Sequence, residues 1–324
     1  MTSYPLACVT GATGLIGRYV VKLLCQQGYA VRILSRKPAV IVQPSPAQEQ
    51  ISYHCGDLCD VSSLDGFLQD AVLLFHCAGE VRDQQRMWQV NVQGTENLLH
   101  VAARASALRY LCHISSAGVV GNTSDLLITE ETQPCPRMLY ESSKWASEQL
   151  VRQGLGKSKS VVILRPTVVV DETHPGPMQL AMQNGVAARL KRWIKGGEGA
   201  YMVHAEDVAR AALFFIDTPF DEPACFFVSC DADPWNTLAG LRTMYHALQC
   251  GVTPQLSNCP MHVSLRVPYL WRQLMRRPAL RGDKRFSSQK LFDQGFVYHY
   301  SVKTMVQRCL DFNESQHALS EILV

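Results

Sequence analysis

Apolar and polar positions along the first half of this chain alternate between two periods. Short apolar runs stand at Leu6–Thr10, Tyr29–Lys37, Ile51–Cys55, Ala71–His76, Tyr110–Ile114 and Val161–Leu164. Each is bounded by Gly, Ser, Asp or Pro, as buried strands are. Between them lie segments of helical spacing, such as Ile16, Val20, Leu23 and Leu24, or Leu139 to Leu150. A helix is also expected after Asp57, through Leu64 and Phe67, with Asp57 as a candidate cap. Strand and helix alternating in this way predict an α/β fold with a doubly wound parallel sheet, covered by helices on both faces. Ligands of such a sheet sit beyond the C-terminal ends of its strands. The later part is mixed. An apolar stripe at Met178, Leu180, Met182, Val186 and Leu190 is expected to pack into a core, Asp207 to cap a helix from Val208 to Ile216, and Cys225–Ser229 to add a strand.

The first strand runs into Gly11-Ala12-Thr13-Gly14-Leu15-Ile16-Gly17 and then a helix. A glycine turn between strand and helix N-terminus is an anion site, because free backbone N–H groups and the helix dipole converge there. Gly11 permits the tight turn, Gly14 admits a pyrophosphate, and Gly17 lets the helix pack close to the strand. A Rossmann-type dinucleotide domain follows. At the end of its second strand, an NAD site carries a carboxylate for the ribose 2′-hydroxyl. Here Ser35-Arg36-Lys37 stand instead, and a guanidinium suits a 2′-phosphate. The expected cofactor is NADP(H) rather than NAD(H). Asp57 is expected either to accept from the adenine amine or simply to cap the following helix, and Cys77, Ala78 and Gly79 to lie beside the ribose, where small residues admit close approach.

Composition sets outer limits. The 324 residues suffice for one such domain and a smaller lobe. The apolar fraction is 47%, the charged fraction 18% and the net charge +3, which fits a globular protein and gives no reason to expect a nucleic-acid partner. No apolar run nears the roughly 20 residues of a membrane span, and the N-terminus has no basic region of a signal peptide. The 12 cysteines are scattered and read as reduced thiols of a cytoplasmic protein, with no metal site.

Candidate chemistry lies in Ser115-Ser116 and in Tyr140-x-x-x-Lys144. Tyr140 and Lys144 share a helix face. A nearby ammonium lowers a phenol's pKa from about 10, and such a phenol can act as general acid or base. Ser116 can hold the same substrate oxygen. Asn91 is expected to bond backbone within the fold.

These stretches, with Thr10–Gly17, Gly56-Asp57-Leu58, Asn91-Val92-Gln93-Gly94-Thr95, Ser115–Gly121, Arg165-Pro166-Thr167, Val203–Ala209, Ser288–Lys290 and Gly295-Phe296, resemble an extended short-chain dehydrogenase/reductase of the NAD(P)-dependent epimerase/dehydratase kind. The resemblance implies a catalytic Ser116, Tyr140 and Lys144, with Ser115 as the alternative serine. It implies cofactor contacts from Gly11, Thr13, Gly14, Leu15, Ile16, Gly17, Arg36, Asp57, Leu58, Cys77, Ala78, Gly79, Tyr140 and Lys144, and a nicotinamide lined by Pro166 and Thr167. It implies a homodimer through the helices around Asn91–Ala103 and Tyr140–Arg152.

Two departures fall on the substrate side. Val120 stands where sugar-nucleotide epimerases carry Tyr, and Val168–His174 replaces a glycine-rich turn. The domains expected are 1–167 with 203–230 for the dinucleotide, and 168–202 with 231–324 as a smaller mixed α/β substrate lobe. The activity expected is hydride transfer to or from a ketone or secondary alcohol: a sugar derivative, a flavonoid-like ketone or a sterol-like alcohol. An epimerase or dehydratase with retained cofactor, and a non-catalytic NADPH sensor, are the alternatives. Between Arg266 and Arg285 are seven basic residues and one acid, open to three readings: a solvated helix, a phosphate clamp or a membrane-surface helix.

Overall fold

The computed structural model describes residues 4–37, 50–156, 158–275 and 282–322. Its strands are β1 (Leu6–Thr10), β2 (Ala30–Ser35), β3 (Ile51–Cys55), β4 (Ala71–His76), β5 (Tyr110–Ile114), β6 (Leu127–Ile128), β7 (Ser160–Pro166), β8 (Val168–Val170), β9 (Met202–His204), β10 (Ala224–Val228) and β11 (Arg285–Phe286). The helices used below are α1 (Gly17–Gln26), α2 (Gln84–Trp88), α3 (Gly94–Arg104), α4 (Leu139–Gly154), α5 (Met178–Met182), α6 (Val186–Lys195), α7 (Ala205–Phe214), α8 (Leu238–Gln249) and α9 (Arg266–Leu274).

Seven strands form one sheet in the order β10-β7-β5-β4-β1-β2-β3. The pairings from β7 through β5, β4, β1 and β2 to β3 are all parallel. After β3 the chain crosses to the other side of β1, so the order in which strands are added reverses between β1 and β4, where a doubly wound fold opens its crevice. The runs read as buried strands are buried: all five residues of β5 are. Leu74, Leu111 and Ile163 from the sheet pack with Leu98 and Leu99 of α3 and Val151 of α4.

The described residues divide into two compact units. The first lies within Met1–Gly121, Pro134–Pro166 and Val208–Phe226; the second lies within Asn122–Gln133, Thr167–Asp207 and Phe227–Val324. Residues 122–133, expected with the dinucleotide domain, group with the second unit. There β6 pairs with β11, and the Glu130 carboxylate accepts from Phe227 N at 2.7 Å. Residues 203–207 also group there, since β9 pairs with β8. The second unit has its own core, built from Val170, Met202, Leu241, Met244, Met305 and Val306.

Local expectations fail at three places. The helix expected after Asp57 is a single 3-10 turn, Val61–Leu64, and its cap is Asp60, which accepts from Ser62 N. Asp57 instead accepts from Cys59 N at 2.9 Å. Asp207 lies inside α7, not before it, and its two carboxylate oxygens accept from the backbone N–H groups of His299 and Tyr300, each at 2.9 Å. The stripe from Met178 to Leu190 is broken between α5 and α6 at Gly185, whose φ is +112°. Met178 is buried, but Val186 and Leu190 face solvent. Of the basic stretch, residues 276–281 lie outside those described. Arg272 pairs with Glu198, and buried Lys284 donates to the carbonyls of Thr123 and Asp125. Both tie the fold together, while Arg266 and Arg285 are exposed.

Candidate active site and dinucleotide cavity

The glycine loop is shaped by contacts that leave no room for a side chain. Gly11 has φ +68°, and a Cβ there would lie 2.5 Å from Ala78 N. A Cβ on Gly17 would lie 2.2 Å from Gly11 O. Both glycines are therefore required by the backbone itself. Gly14 N donates to Gly11 O at 2.9 Å, closing the turn into α1. That helix begins with no side-chain cap and no acid in its first turn; the N–H groups of Arg18, Tyr19 and Val20 bond back to Gly14 and Ile16, so an anion would meet the turn ahead of them and the positive end of the helix dipole.

The loop forms one wall of a cavity of about 1040 Å³ in the first unit. Of the expected cofactor residues, the cavity gathers Gly11, Thr13, Gly14, Arg36, Asp57, Leu58, Cys77, Ala78 and Gly79. Leu15, Ile16, Gly17, Tyr140, Lys144 and Pro166 do not line it. Thr167 falls in the second unit, where its N–H donates to Val228 O at 3.2 Å. The Ser35 hydroxyl donates to Lys37 O and accepts from Lys37 N, at 2.9 and 3.2 Å. This tight turn at the end of β2 leaves Arg36 exposed at the cavity. Cavity residues that the sequence did not single out include Arg18, Tyr53 and Arg86. Arg18 follows Gly17 directly, and that adjacency was the available signal.

Ser116, Tyr140 and Lys144 meet in the same unit. Ser116 is half-buried and caps the turn Ala117–Val120, accepting from Gly118 N at 3.1 Å. Its hydroxyl lies beside the Tyr140 phenol and pulls that group's pKa down. Ser115 is buried and engaged elsewhere, donating to Glu148 at 2.9 Å. Lys144 is buried and donates from Nζ to Ile114 O at 2.6 Å. A Cβ built on Gly79 would lie 3.9 Å from Lys144 Nζ, so the ammonium is close behind the cavity wall. Asn91 holds that wall in place: its Oδ1 accepts from Glu80 N at 2.7 Å, and its Nδ2 donates to Glu80 O and Ser143 Oγ. It sits on a π-type turn, Gln89–Gln93, between α2 and α3.

The electrostatics differ from expectation at one point. Burial raises the Tyr140 pKa above its ordinary value, and the Ser116 hydroxyl only partly offsets this. The depression expected from the ammonium is absent, because Lys144 is directed to Ile114 O. Burial lowers the Lys144 pKa to about 8, against the opposing pull of Glu148 and Cys77. Burial also raises Glu148, but Arg165 and Arg152 outweigh it and hold this carboxyl below its ordinary value. Beneath the site two buried imidazoles, His76 and His113, stand 5.1 Å apart. Burial and then the Lys144 charge keep both neutral, lowering His76 to about 3. His76 bridges Thr10 and Thr95 at 2.7 and 2.9 Å.

Comparison with known proteins follows this geometry. The family model for the NAD dependent epimerase/dehydratase family matches residues 7–225. The chain is 29% identical over 235 residues to cinnamoyl-CoA reductase 2 of Medicago truncatula, covering 65% of this chain and 68% of that protein. It is 29% identical over 286 residues to a ceramide reductase of Caulobacter vibrioides, covering 86% and 81%. A solved short-chain dehydrogenase/reductase superfamily protein from Agrobacterium tumefaciens with bound NAD superposes with a TM-score of 0.73, at 22% identity, over 98% of this chain and 99% of that one. This chain belongs to the NAD-dependent epimerase/dehydratase family and is an NAD(P)-dependent enzyme of the extended short-chain dehydrogenase/reductase kind.

Proposed function

We propose that the chain is an NADP(H)-dependent reductase of a ketone, running through Ser116, Tyr140 and Lys144. The observation that carries this reading is the hydroxyl pair of Ser116 and Tyr140 with the Lys144 ammonium one helical turn on. Burial keeps Tyr140 protonated at neutral pH, which is the form that reduction requires, since the substrate oxygen must gain a proton. An epimerase's first step instead removes one. The reductase names of the sequence relatives point the same way.

The loop residues Gly11, Thr13, Gly14, Leu15, Ile16 and Gly17 would hold the pyrophosphate through backbone N–H groups. The cradle fits, because the loop keeps its shape through close backbone approaches at Gly11 and Gly17 that a Cβ would break. Arg36 would take the 2′-phosphate, where no carboxylate stands at the end of β2 to repel it. Asp57 and Leu58 would bound the adenine, Cys77, Ala78 and Gly79 the ribose, and Pro166 and Thr167 the nicotinamide. The bound dinucleotide supplies the hydride. Tyr140 passes its phenolic proton to the substrate oxygen, Ser116 donates to the same oxygen, and Lys144 holds the ribose and restores charge balance as phenolate forms.

The test is a screen for NADPH oxidation by the full chain against ketones and nucleotide sugars. Oxidation with a ketone, abolished in Tyr140→Phe, is expected. Conversion of a nucleotide sugar without net change of cofactor would replace this reading with an epimerase or dehydratase.

A further inference from the structure

Two helices of the second unit are built inside out. In α6, Ala188 and Arg192 face inward, and Arg192 donates to the carbonyls of Leu180 and Gln183, each at 2.8 Å. The apolar positions of that helix lie outside: Val186 is 83% exposed, Leu190 54% and Trp193 54%. Their spacing of four and three residues makes one stripe along the helix. The same pattern recurs in α9, where Val267, Leu270, Trp271 and Leu274 form a stripe at 55, 60, 57 and 80% exposure. A water-facing helix ordinarily shows the opposite polarity. The two elements are joined locally, since Val263 N donates to Trp193 O at 2.9 Å and Arg272 pairs with Glu198.

The charge of these segments is one-sided. Residues 173–197 and 250–275 hold six of the chain's 31 lysines and arginines and none of its 28 acids. The rest of the chain, by difference, carries three more acids than bases. Among the described cations, Arg189, Lys191, Lys195 and Arg266 are exposed. A second copy is a poor occupant. In a twofold contact the patch meets itself, and here the exposed cations would meet cations, since the neighbouring Glu198 is already paired with Arg272. An apolar stripe with two tryptophans, bordered by exposed cations, matches the boundary layer of an anionic bilayer, where acyl chains take the apolar side chains and phosphates take the charges.

We propose that the α6–α9 face docks the enzyme on membranes rich in anionic phospholipid. Among the described residues no helix is long and apolar enough to cross a membrane, so the attachment is peripheral and reversible. It stands apart from the reductase reading, because none of these residues belongs to the dinucleotide cavity.

The test is co-sedimentation of the full chain with vesicles of phosphatidylglycerol and phosphatidylcholine, against vesicles of phosphatidylcholine alone. Binding to the anionic vesicles should be at least about tenfold stronger and should fall as salt is raised. The variant Leu190→Glu/Leu270→Glu changes only exposed positions. It should keep its melting temperature and its NADPH affinity while losing at least about tenfold in vesicle binding. No binding to anionic vesicles, or equal binding to both compositions, would overturn the proposal, and neither result depends on a variant. A concentration-dependent dimer of the wild type that the double variant abolishes would overturn it too, assigning the face to self-association.

Discussion

Ser115 donates its hydroxyl to Glu148 at 2.9 Å, while its neighbour Ser116 turns to the Tyr140 phenol. Two adjacent serines are thereby divided between structure and site. Ser116→Ala should lower kcat by roughly tenfold to a hundredfold with little change in melting temperature, as loss of one positioned hydroxyl does. Ser115→Ala should do the reverse, costing about 1.5–3 kcal/mol by removing a buried hydrogen bond to the Glu148 carboxylate. Steady-state kinetics and thermal denaturation of both variants check this, and equal kinetic damage from the two would undo the assignment.

Tyr140→Phe should reduce turnover by about 10² to 10⁴ while the protein still binds NADPH. Lys144 should set a pH limit. Its ammonium is present below about 8 and is lost as pH rises through that value, so activity should decline above it. In Lys144→Arg the cation persists at any accessible pH, so whatever activity remains should lack that decline. A wild-type pH profile flat through 8 to 10 would count against the role of the ammonium.

Arg36 faces the cavity, and the strand end Ser35-Arg36-Lys37 carries no carboxylate to compete for a 2′-phosphate. Charge-assisted hydrogen bonds contribute about 1.5–3 kcal/mol, so Arg36→Ala should weaken NADPH about tenfold to a hundredfold and leave NADH nearly unchanged. Fluorescence titration of both dinucleotides measures this. Equal affinity of the wild type for the two would remove the 2′-phosphate argument.

Glu148 and Arg165 are paired at 2.7 Å with almost no exposure. Glu148→Gln leaves the guanidinium buried without its counter-charge, and should destabilise by about 3–5 kcal/mol. Denaturant unfolding reads the loss. A cost under 1 kcal/mol would show that Arg165 is satisfied by other groups.

The buried imidazoles make the fold acid-sensitive. In the unfolded chain His76 and His113 take protons near pH 6.5, whereas in the native state His76 resists until about 3. The unfolded state therefore binds more protons between those values. The stability from these groups is full above about 6.5 and falls as pH drops toward 3, by about 1.4 kcal/mol per pH unit for each group. The His76→Asn variant, which cannot titrate there, should show a shallower fall of melting temperature between about pH 6.5 and 4. An unchanged slope would exclude His76 as a contributor.

What could be read from the chain was whatever local chemistry dictates. The continuous apolar runs at Ala71–His76 and Tyr110–Ile114 had no other use than a buried sheet, and the glycines at 11 and 17 had no other use than close approach. Distance in sequence hid the rest. Asp207 looks like a helix cap because capping is a local rule, yet its partners are 92 and 93 residues away. Leu64 and Phe67 have helical spacing, but Gly66 and Asp70 adopt positive φ and stop a helix from forming. Val186 and Leu190 were assigned to a core because periodicity tells which residues share a face and not which way the face turns. Tyr140 and Lys144 share a face of α4 by their spacing, but spacing does not say that the ammonium points to Ile114 O.

The π-type turn at Gln89–Gln93 has a mechanical consequence. An α-helix advances about 100° per residue, so one extra residue in the turn rotates everything before it relative to everything after. Arg86 and Val90 reach the cavity on one side of this offset, while Thr95 and Leu98 are buried in the first unit on the other. The turn acts as a phase shifter between two faces that a regular helix could not serve at once. Deleting a single residue there would restore regular winding, swing Arg86 by about a quarter turn and leave the core half of the helix where it is.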